Sequence, residues 1–482
     1  MLRDIHHMLR AHLASRYSAW TWFCITFLIF LTHLLTSRYH DFYYDSSGYW
    51  FLANTFDQKG ASRFSFYNFN SALRGYLLPL LHYPAAVIVR EWFPDAVSEA
   101  AKIMGALWAG AVFGVAAPAL WEKASGKVVN NLRRLLFVGV GFVLWRDYFN
   151  FPLSDFPSVL AVVLALLVAH RARNYWSALA AGALVAAAVY IRPLSLLVTP
   201  FVLVLLLLGP SAQTDTAGSN VSWLKQAARL GLFALAFLLL AIPQYLINVN
   251  NYQSPNLLIL GLGDGDFRVN DVDNVYLFKI NEGLDKQRYE TNIGTDYPIP
   301  QATFLDPAGR ALLERNGNPL FDSYFKYFVF VVSHPADMTA LYTRHFFNGL
   351  DVLYPGPYVS RIYGSTLSLS LVNYTVLFAA FLVILLRVQQ LRLRHWLMVG
   401  GLFITCLASM PLMIETRYFL PLDLLLYAVA CFGWPAEWRW TTVPKHHIVS
   451  VVLAYCFFVA ICLTLSSNTQ ASLSLKPKTL QR

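Results

Sequence analysis

The chain has 482 residues, of which 57% are hydrophobic and 13% are charged. Soluble proteins carry about 25% charged residues, so this composition excludes an ordinary soluble protein. Repeated apolar runs of about 15–20 residues indicate a multi-span membrane protein, and the net charge of +10 then reflects Lys and Arg in cytoplasmic loops rather than nucleic-acid binding.

Apolar segments along the chain predict about eleven membrane-spanning helices, with the N-terminus inside. Cations gather in the proposed inner loops, at positions such as Lys123, Arg134, Arg171 and Arg392, whereas the short outer loop 150–156 has none. The positive-inside rule expects this asymmetry. The predicted spans are 19–36, 98–120, 134–149, 157–170, 175–190, 194–209, 229–247, 365–386, 396–413, 418–434 and 447–466.

The sequence therefore predicts an all-α polytopic fold in three regions, which are 1–247, 248–364 and 365–482. The middle region is polar and is predicted to be a long extracytoplasmic loop. Segment 76–90, in the first outer loop, is apolar but short and contains two prolines, so we expect a juxtamembrane helix rather than a span. A span there would move every later loop to the other side of the membrane.

Signals for metal binding and disulfides are weak. The five cysteines lie in apolar runs without paired spacing, which argues against a disulfide framework or a metal cluster. The stretch 261–271, GLGDGDFRVND, and the next residues place Asp264, Asp266, Asp271 and Asp273 close together in sequence without EF-hand spacing. A solvated loop is favoured there over a calcium site.

Charged side chains near a bilayer are energetically costly, which makes them functional candidates. Several lie at the outer ends of predicted spans, in loops that the topology places on one side of the membrane. We expect these acids and arginines, which come from distant parts of the chain, to meet in one site. The candidates are Asp41, Asp45, Arg74, Arg146, Asp147, Asp155, Arg192, Glu415 and Arg417.

These residue types suit the transfer of a group from a lipid phosphate. A carboxylate acts as a general base toward a hydroxyl or amine, and arginines bind a phosphate and stabilise its charge as it departs. The sequence has no G-x-x-x-x-G-K-[ST] loop and no G-x-G-x-x-G following a strand, so a membrane-anchored sugar phosphate is a better candidate donor than a nucleotide sugar. Because arginines can neutralise the phosphate, no metal is required.

Short motifs occur at these outer ends. Residues 45–53, DSSGYWFLA, have the pattern D-x-x-x-Y-x-x-x-A, and residues 415–421, ETRYFLP, have the pattern E-x-R-Y-x-x-P. Together with segments 69–80, 154–157, 191–193 and 333–335, they resemble, in order, motifs of the GT-C superfamily of polyprenyl-phosphate-sugar glycosyltransferases. Relatives in that superfamily include the protein O-mannosyltransferases and the lipid A aminoarabinose transferases, and the resemblance runs from about residue 20 to 435.

The resemblance implies a role for each candidate residue. Asp45 is expected to be the catalytic base, with Asp41 as the alternative. Arg192, Arg74 and Arg417 are expected to bind the donor phosphate. The expected substrate contacts are Tyr49, Asp41, Asp155, His334 and Glu415.

The resemblance also implies an inverting enzyme of the cell membrane that needs neither metal nor cofactor. Its active site would face the extracytoplasmic side, its donor would be a polyprenyl-phosphate sugar, and its acceptor would be a lipid, a glycan or a protein. The chain departs from the family in two ways. The basic residue of the first loop is not followed by Pro-Pro, and no sizeable soluble C-terminal domain follows the spans, which leaves the acceptor unassigned.

Simpler interpretations stand beside these roles. Asp155 fits the N-cap of the following helix, and Arg192 fits an anchor at the membrane boundary. Glu415 and Arg417 fit a structural ion pair, and His334 fits a helix start. At the level of the whole protein, the alternatives are a lipid-linked sugar flippase and a non-catalytic partner in envelope assembly. A flippase needs charges along the depth of its spans, where the sequence has few.

Overall fold

A computed structural model of the chain describes residues 18–58, 61–171, 174–208, 223–263, 268–269, 272–364, 366–434 and 444–476. Asp264, Asp266 and Asp271 of the predicted Asp-rich loop lie outside these ranges.

Within the described ranges the chain is mostly helical. The helices are α1 (Ala19–Leu35), α2 (Tyr44–Asn54), α3 (Leu77–Trp92), α4 (Val97–Ser125), α5 (Asn131–Trp145), α6 (Asp155–His170), α7 (Tyr175–Ile191), α8 (Thr199–Leu208), α9 (Trp223–Tyr252), α10 (Val275–Glu282), α11 (Pro307–Arg315), α12 (Tyr324–Ser333), α13 (Pro335–Leu350), α14 (Leu367–Arg387), α15 (Leu393–Ser409), α16 (Leu420–Phe432) and α17 (Lys445–Ala471).

Among the described residues, four helices are long and apolar enough to cross a membrane, namely α4, α9, α14 with the short turn after it, and α17. Each coincides with a predicted span. The other predicted spans also contain helices, but these are shorter: the 17 residues of α1, for example, reach about 26 Å, against roughly 30 Å of bilayer hydrocarbon. The predicted class is confirmed at this coarser level, whereas the count of eleven spans is not.

Segment 76–90 forms the helix α3, which has 16 residues. Its length is about 24 Å, similar to that of the predicted span α1, so its juxtamembrane placement stays a prediction. Pro79 lies in its first turn, where the missing backbone N–H costs no hydrogen bond.

Contacts divide the chain into two compact units. Unit 1 comprises residues 1–142, 149–260 and 388–405, and unit 2 comprises residues 143–148, 261–387 and 406–482. These units are defined by packing, whereas the three predicted regions are defined by membrane topology.

Unit 1 is built from packed helices. Helix α7 lies against α6 and α9. It can approach α9 closely because Gly182 has no side chain: a Cβ there would lie 2.2 Å from the carbonyl oxygen of Phe233. A cluster of buried apolar side chains joins α2, α7 and α9 to the segment that precedes α3. Its members are Leu52, Phe56, Phe69, Tyr76, Ala186, Tyr190, Ala241, Ile247 and Ile259.

Unit 2 contains a small sheet as well as helices. Earlier in the chain, β1 (Asp57–Gln58) pairs antiparallel with β2 (Ala61–Phe64), and β3 (Arg268–Val269) pairs antiparallel with β4 (Val272–Asp273). In unit 2, strand β5 (Lys286–Asn292) pairs antiparallel with β6 (Gln301–Leu305) and parallel with β7 (Tyr358–Val359), in the strand order β6-β5-β7. The segment 248–364, predicted as a polar loop, thus includes four helices, α10 to α13, and this sheet. The all-α prediction is corrected to a mostly helical fold with strands, because the polar run 286–292 pairs its backbone with two other segments.

Candidate functional site

The first candidate carboxylate lies in the first turn of α2. The helix start is held by Ser46, whose Oγ accepts from the backbone N–H of Tyr43 and whose N–H donates to the carbonyl of Tyr43, both at 2.9 Å. Tyr44, which follows Tyr43, has φ = 44°, a left-handed conformation that costs a non-glycine residue about 1 kcal/mol or more. This strained turn directs the chain into the helix immediately before Asp45.

Arg74 pairs with Asp45 across the surface of α2. Its Nη2 donates to Oδ1 of Asp45 at 2.9 Å, and its guanidinium lies 4.9 Å from the centre of the Tyr49 ring, in a cation–π contact. Gly48 makes room for this crossing, because a Cβ there would lie 2.0 Å from Nη1 of Arg74. The Asp45 side chain is 41% exposed, so a ligand in solution can reach it.

A second pair joins the start of α6 to the end of α7. Helix α7 ends at Ile191, and Arg192 is extended (φ −145°, ψ 111°) because the residue before a proline avoids the helical region. In this position Nη1 of Arg192 donates to Oδ1 of Asp155. Ser154, not Asp155, occupies the N-cap of α6, so the carboxylate of Asp155 contacts Arg192 rather than capping its helix from the N-cap position.

Tyr49 links the two pairs. Burial raises the pKa of the Tyr49 phenol, and the charges of Asp45 and Asp155 add to the rise. The charge of Arg74 and a hydrogen bond with Ser154 oppose the rise. The phenol therefore stays protonated at neutral pH and lies close to both carboxylates. We call Asp45, Tyr49, Arg74, Asp155 and Arg192 the carboxylate–guanidinium cluster.

The remaining first-loop candidate, Asp41, is exposed and lies in the turn before α2. Burial raises the pKa of the neighbouring Tyr43, and the charge of Asp41 adds to the rise. Asp41 thus lies in the turn before α2, whereas Asp45 lies in the first turn of that helix.

His334 lies in unit 2, at the junction of α12 and α13. Its Nδ1 is 3.0 Å from the carbonyl oxygen of Phe330, and its Nε2 is 3.2 Å from Oδ1 of Asn316. Both ring nitrogens are therefore engaged by protein atoms, which matches the simpler interpretation of a helix start. A substrate contact by His334 stays a prediction.

Glu415 and Arg417 also belong to unit 2, where they contact each other. Nε and Nη2 of Arg417 each lie 2.6 Å from Oε2 of Glu415. The other oxygen, Oε1, accepts from the Tyr418 hydroxyl and lies 3.5 Å from Nζ of Lys279. Arg417 thus has a carboxylate partner within its own unit, and its contact with a donor phosphate stays a prediction.

Sequence reasoning missed a buried ionic network beside this pair. Arg288, which has no exposed side-chain surface, contacts Oε1 of Glu290 through Nε (2.8 Å) and Nη2 (2.7 Å) and lies 3.4 Å from Asp351. Burial raises the pKa of both Glu290 and Asp351, and the charge of Arg288 opposes this rise. The signal available in the sequence was the i, i+2 spacing of Arg288 and Glu290, which places both on one face of a strand.

The predicted Arg146 and Asp147 fall in unit 2 as well. Nη1 of Arg146 donates to the carbonyl of Val143 at 2.7 Å, and the backbone N–H of Asp147 donates to the carbonyl of Pro355 at 3.0 Å. Across the described ranges, no group of three or more His, Cys, Asp or Glu side chains is placed to hold a metal ion.

The carboxylate–guanidinium cluster can support both proton transfer and anion binding. Asp45 offers an accessible acceptor for a proton, while the side chains of Arg74 and Arg192 are 21% and 22% exposed. Such groups bind phosphate oxygens through several N–H donors. The described residues thus combine helices that are long and apolar enough to span a membrane with a cluster of carboxylates and guanidinium groups.

Comparisons with known proteins give a distant structural likeness. No protein-family model matches the chain, and no curated protein matches it. Crystal structures of the Archaeoglobus fulgidus oligosaccharyltransferase, in the apo form and tethered by a disulfide to an acceptor peptide with the NVT sequon, are similar with TM-scores of 0.45 and 12% sequence identity. The alignments cover 97% and 96% of this chain but 57% and 56% of those chains, so this chain spans little more than half their length.

Proposed function

We propose that this protein is an integral membrane glycosyltransferase. It moves a sugar from a polyprenyl-phosphate carrier to an acceptor on the extracytoplasmic side, without a metal or cofactor. The observation that carries the proposal is the pairing of Asp45 with Arg74 and of Asp155 with Arg192, with Tyr49 beside both pairs. General base and phosphate-binding groups thus meet within one unit, on side chains that the motif resemblance assigns to these tasks.

Asp45 is the better candidate for the base. Its side chain is 41% exposed, whereas that of Asp155 is 3% exposed and is held by Arg192. A base must reach the proton of an incoming acceptor within hydrogen-bond distance. We therefore assign proton removal to Asp45 and the orientation of Arg192 to Asp155.

The reaction is a single displacement. The acceptor hydroxyl or amine gives its proton to Asp45, its oxygen or nitrogen bonds to the anomeric carbon, and the bond from that carbon to the phosphate oxygen breaks with both electrons leaving on the phosphate. One displacement inverts the anomeric centre. Proton transfer also neutralises Asp45, so the Asp45–Arg74 pair changes from no net charge to a net positive charge as the phosphate gains negative charge.

The test compares a candidate acid with an exposed control acid, Asp95, in cells that lack the protein. Mass spectrometry of envelope glycans and lipids should show a missing sugar, which the wild type and Asp95→Asn restore and Asp45→Asn does not. In detergent with polyprenyl-phosphate sugars and a membrane extract as acceptor, Asp45→Asn should release polyprenyl phosphate at least 100-fold more slowly, a loss of about the size expected for a general base.

Two results would overturn the proposal. Near-normal turnover by folded Asp45→Asn would remove this residue from the base role. Wild-type protein that shows no transfer in detergent, yet carries the lipid-linked sugar across a vesicle membrane, would replace the enzyme with a flippase.

A further inference from the structure

Unit 2 contains a cavity that the proposed reaction does not use. It has about 340 Å³ of space between its lining atoms, part of it open to solvent, and it lies where β5, the segment before β7 and the turn Thr416–Phe419 meet. The cavity opens to solvent, so a ligand can contact its walls while part of the ligand stays in water. Its walls combine aromatic rings with carboxylates.

Three aromatic side chains, Trp145, Tyr289 and Tyr354, line this cavity. Trp145 is held in place by a hydrogen bond from its Nε1 to the hydroxyl of Tyr427 (3.2 Å), and the backbone N–H of Tyr289 donates to Ile414 at 2.8 Å. Trp145 is 2% exposed, whereas Tyr289 and Tyr354 are half-buried, so the tyrosine rings supply most of the apolar surface that suits the C–H face of a sugar ring.

The polar wall consists of Glu290, Glu415 and Arg417. Nε and Nη2 of Arg288 contact Oε1 of Glu290. Within the described part of the chain, no hydrogen bond is made to Oε2 of Glu290. An ionised carboxylate accepts about four hydrogen bonds, so Glu290 has capacity for ligand hydroxyl groups.

The charges around the cavity balance. Three carboxylates, those of Glu290, Asp351 and Glu415, contact three cations. Among these three cations, Arg417 lines the cavity, where its Nε and Nη2 both contact Glu415, whereas Arg288 has no exposed surface. The wall therefore presents two carboxylates and one guanidinium that is already paired, so a phosphate would meet more negative than positive charge. An uncharged ligand with many hydroxyl groups has no such penalty.

We propose that this cavity is a binding site for an uncharged saccharide ring, which stacks on the aromatic wall and donates hydroxyl hydrogen bonds to Glu290 and Glu415. The further assignment of this saccharide as the acceptor glycan rests on the proposed glycosyl transfer, whereas saccharide binding itself does not. The donor sugar is a poor occupant, because it carries a phosphate.

Binding is tested on the full chain in lipid nanodiscs, since maltoside detergents are themselves saccharides. The probes are the methyl pyranosides of glucose, galactose and mannose, observed by saturation-transfer-difference NMR with inorganic phosphate as competitor. At least one glycoside should bind with millimolar affinity, and phosphate at the same concentration should not displace it.

Variants locate the bound sugar. Tyr289→Ala should weaken binding at least tenfold, and so should Trp145→Leu, which keeps an apolar side chain. Tyr324→Ala, at an exposed tyrosine of α12 outside the cavity, should bind as the wild type does. Thermal unfolding confirms that each variant is folded, and Tyr289→Leu replaces Tyr289→Ala if the latter is not.

The outcomes separate this inference from the proposed reaction. Asp45→Asn should bind the glycoside normally, because it does not line the cavity. Three results would overturn the saccharide site alone. The wild type could transfer sugar without binding a glycoside, phosphate could displace the glycoside, or the Tyr289 and Trp145 variants could bind it as the wild type does. Glycoside binding that the two variants abolish, with no transfer from any donor, would overturn the proposed reaction alone.

Discussion

At the scale of single residues, Gly48 controls the position of Arg74. The guanidinium passes over α2 at the point where Gly48 lacks a side chain, and it reaches Asp45 and the ring of Tyr49 from there. The atom that a methyl group would meet is the far end of a flexible side chain rather than backbone. A side chain at position 48 would therefore displace Arg74 from Asp45 while the helix α2 keeps its fold.

We expect Gly48→Ala to lower transfer at least tenfold while the protein remains as stable as the wild type. Alanine in a helix favours folding by about 0.5–1 kcal/mol relative to glycine, which offsets the cost of moving Arg74. Gly139→Ala is the matched control, because a Cβ at that helical glycine meets nothing within 4 Å. Unchanged transfer by Gly48→Ala would show that the Asp45–Arg74 pair is not needed.

His345 predicts a pH dependence of stability. It is fully buried in α13, with Nδ1 2.6 Å from the carbonyl oxygen of Met410, and burial lowers its pKa to about 4. The Met410 carbonyl and Asp306 oppose this shift, and Arg344 adds to it. Between pH 6.5 and 4 the unfolded chain takes up a proton at this residue and the folded chain does not, so the histidine destabilises the fold as pH falls.

The loss at pH 4, relative to neutral pH, is about 3 kcal/mol for this residue. His345→Gln should flatten the fall in thermal unfolding temperature between pH 6.5 and 4, whereas substitution of the exposed His40 should leave the profile unchanged. Identical profiles for the wild type and His345→Gln would exclude the buried histidine as the cause.

At the scale of elements, the carboxylate–guanidinium cluster depends on how the segment before α3 docks on α7. A Cβ at Gly75 would lie 2.0 Å from the carbonyl oxygen of Tyr190, two residues before Arg192. Tyr76 and Tyr190 pack in the same buried cluster, and their hydroxyls donate to backbone carbonyls of Leu240 and Leu257. Arg74 is thus brought to α7 by backbone contact.

Gly75→Ala should reduce both stability and transfer, unlike Gly48→Ala. The added methyl group meets backbone, which cannot rotate away, so the segment must move at a cost of about 1–3 kcal/mol. Gly231→Ala in α9 is the control, because its Cβ would meet nothing within 4 Å. Wild-type unfolding temperature and activity in Gly75→Ala would disprove the close docking.

At the scale of the whole molecule, the topology predicts that the first loop and the segment 248–364 face the same compartment. In a background without the five cysteines, an impermeant maleimide should label His40→Cys and Leu320→Cys from one side of the membrane. Val128→Cys, which is exposed between α4 and α5, should react from the other side. Labelling of positions 40 and 320 from opposite sides would contradict the predicted topology.

The sequence alone determined the class of the protein and the candidate residues. Composition and apolar runs are local properties, and they indicated helices that cross a membrane; the structure contains four of suitable length among its described residues. Asp45, Arg74, Asp155 and Arg192 were each identified from charge at a predicted membrane boundary and from motif order.

Only the tertiary structure decided which charges pair. Asp45 and Arg74 are separated by 29 residues, and Asp155 and Arg192 by 37, so their pairing depends on helix packing and on the close approach at Gly75. It likewise placed Glu415 and Arg417 in unit 2, beside the unpredicted Arg288 and Glu290 of β5. A polar strand has no apolar period to mark it, and an ion pair between distant segments forms only where the folded backbone brings its two ends together.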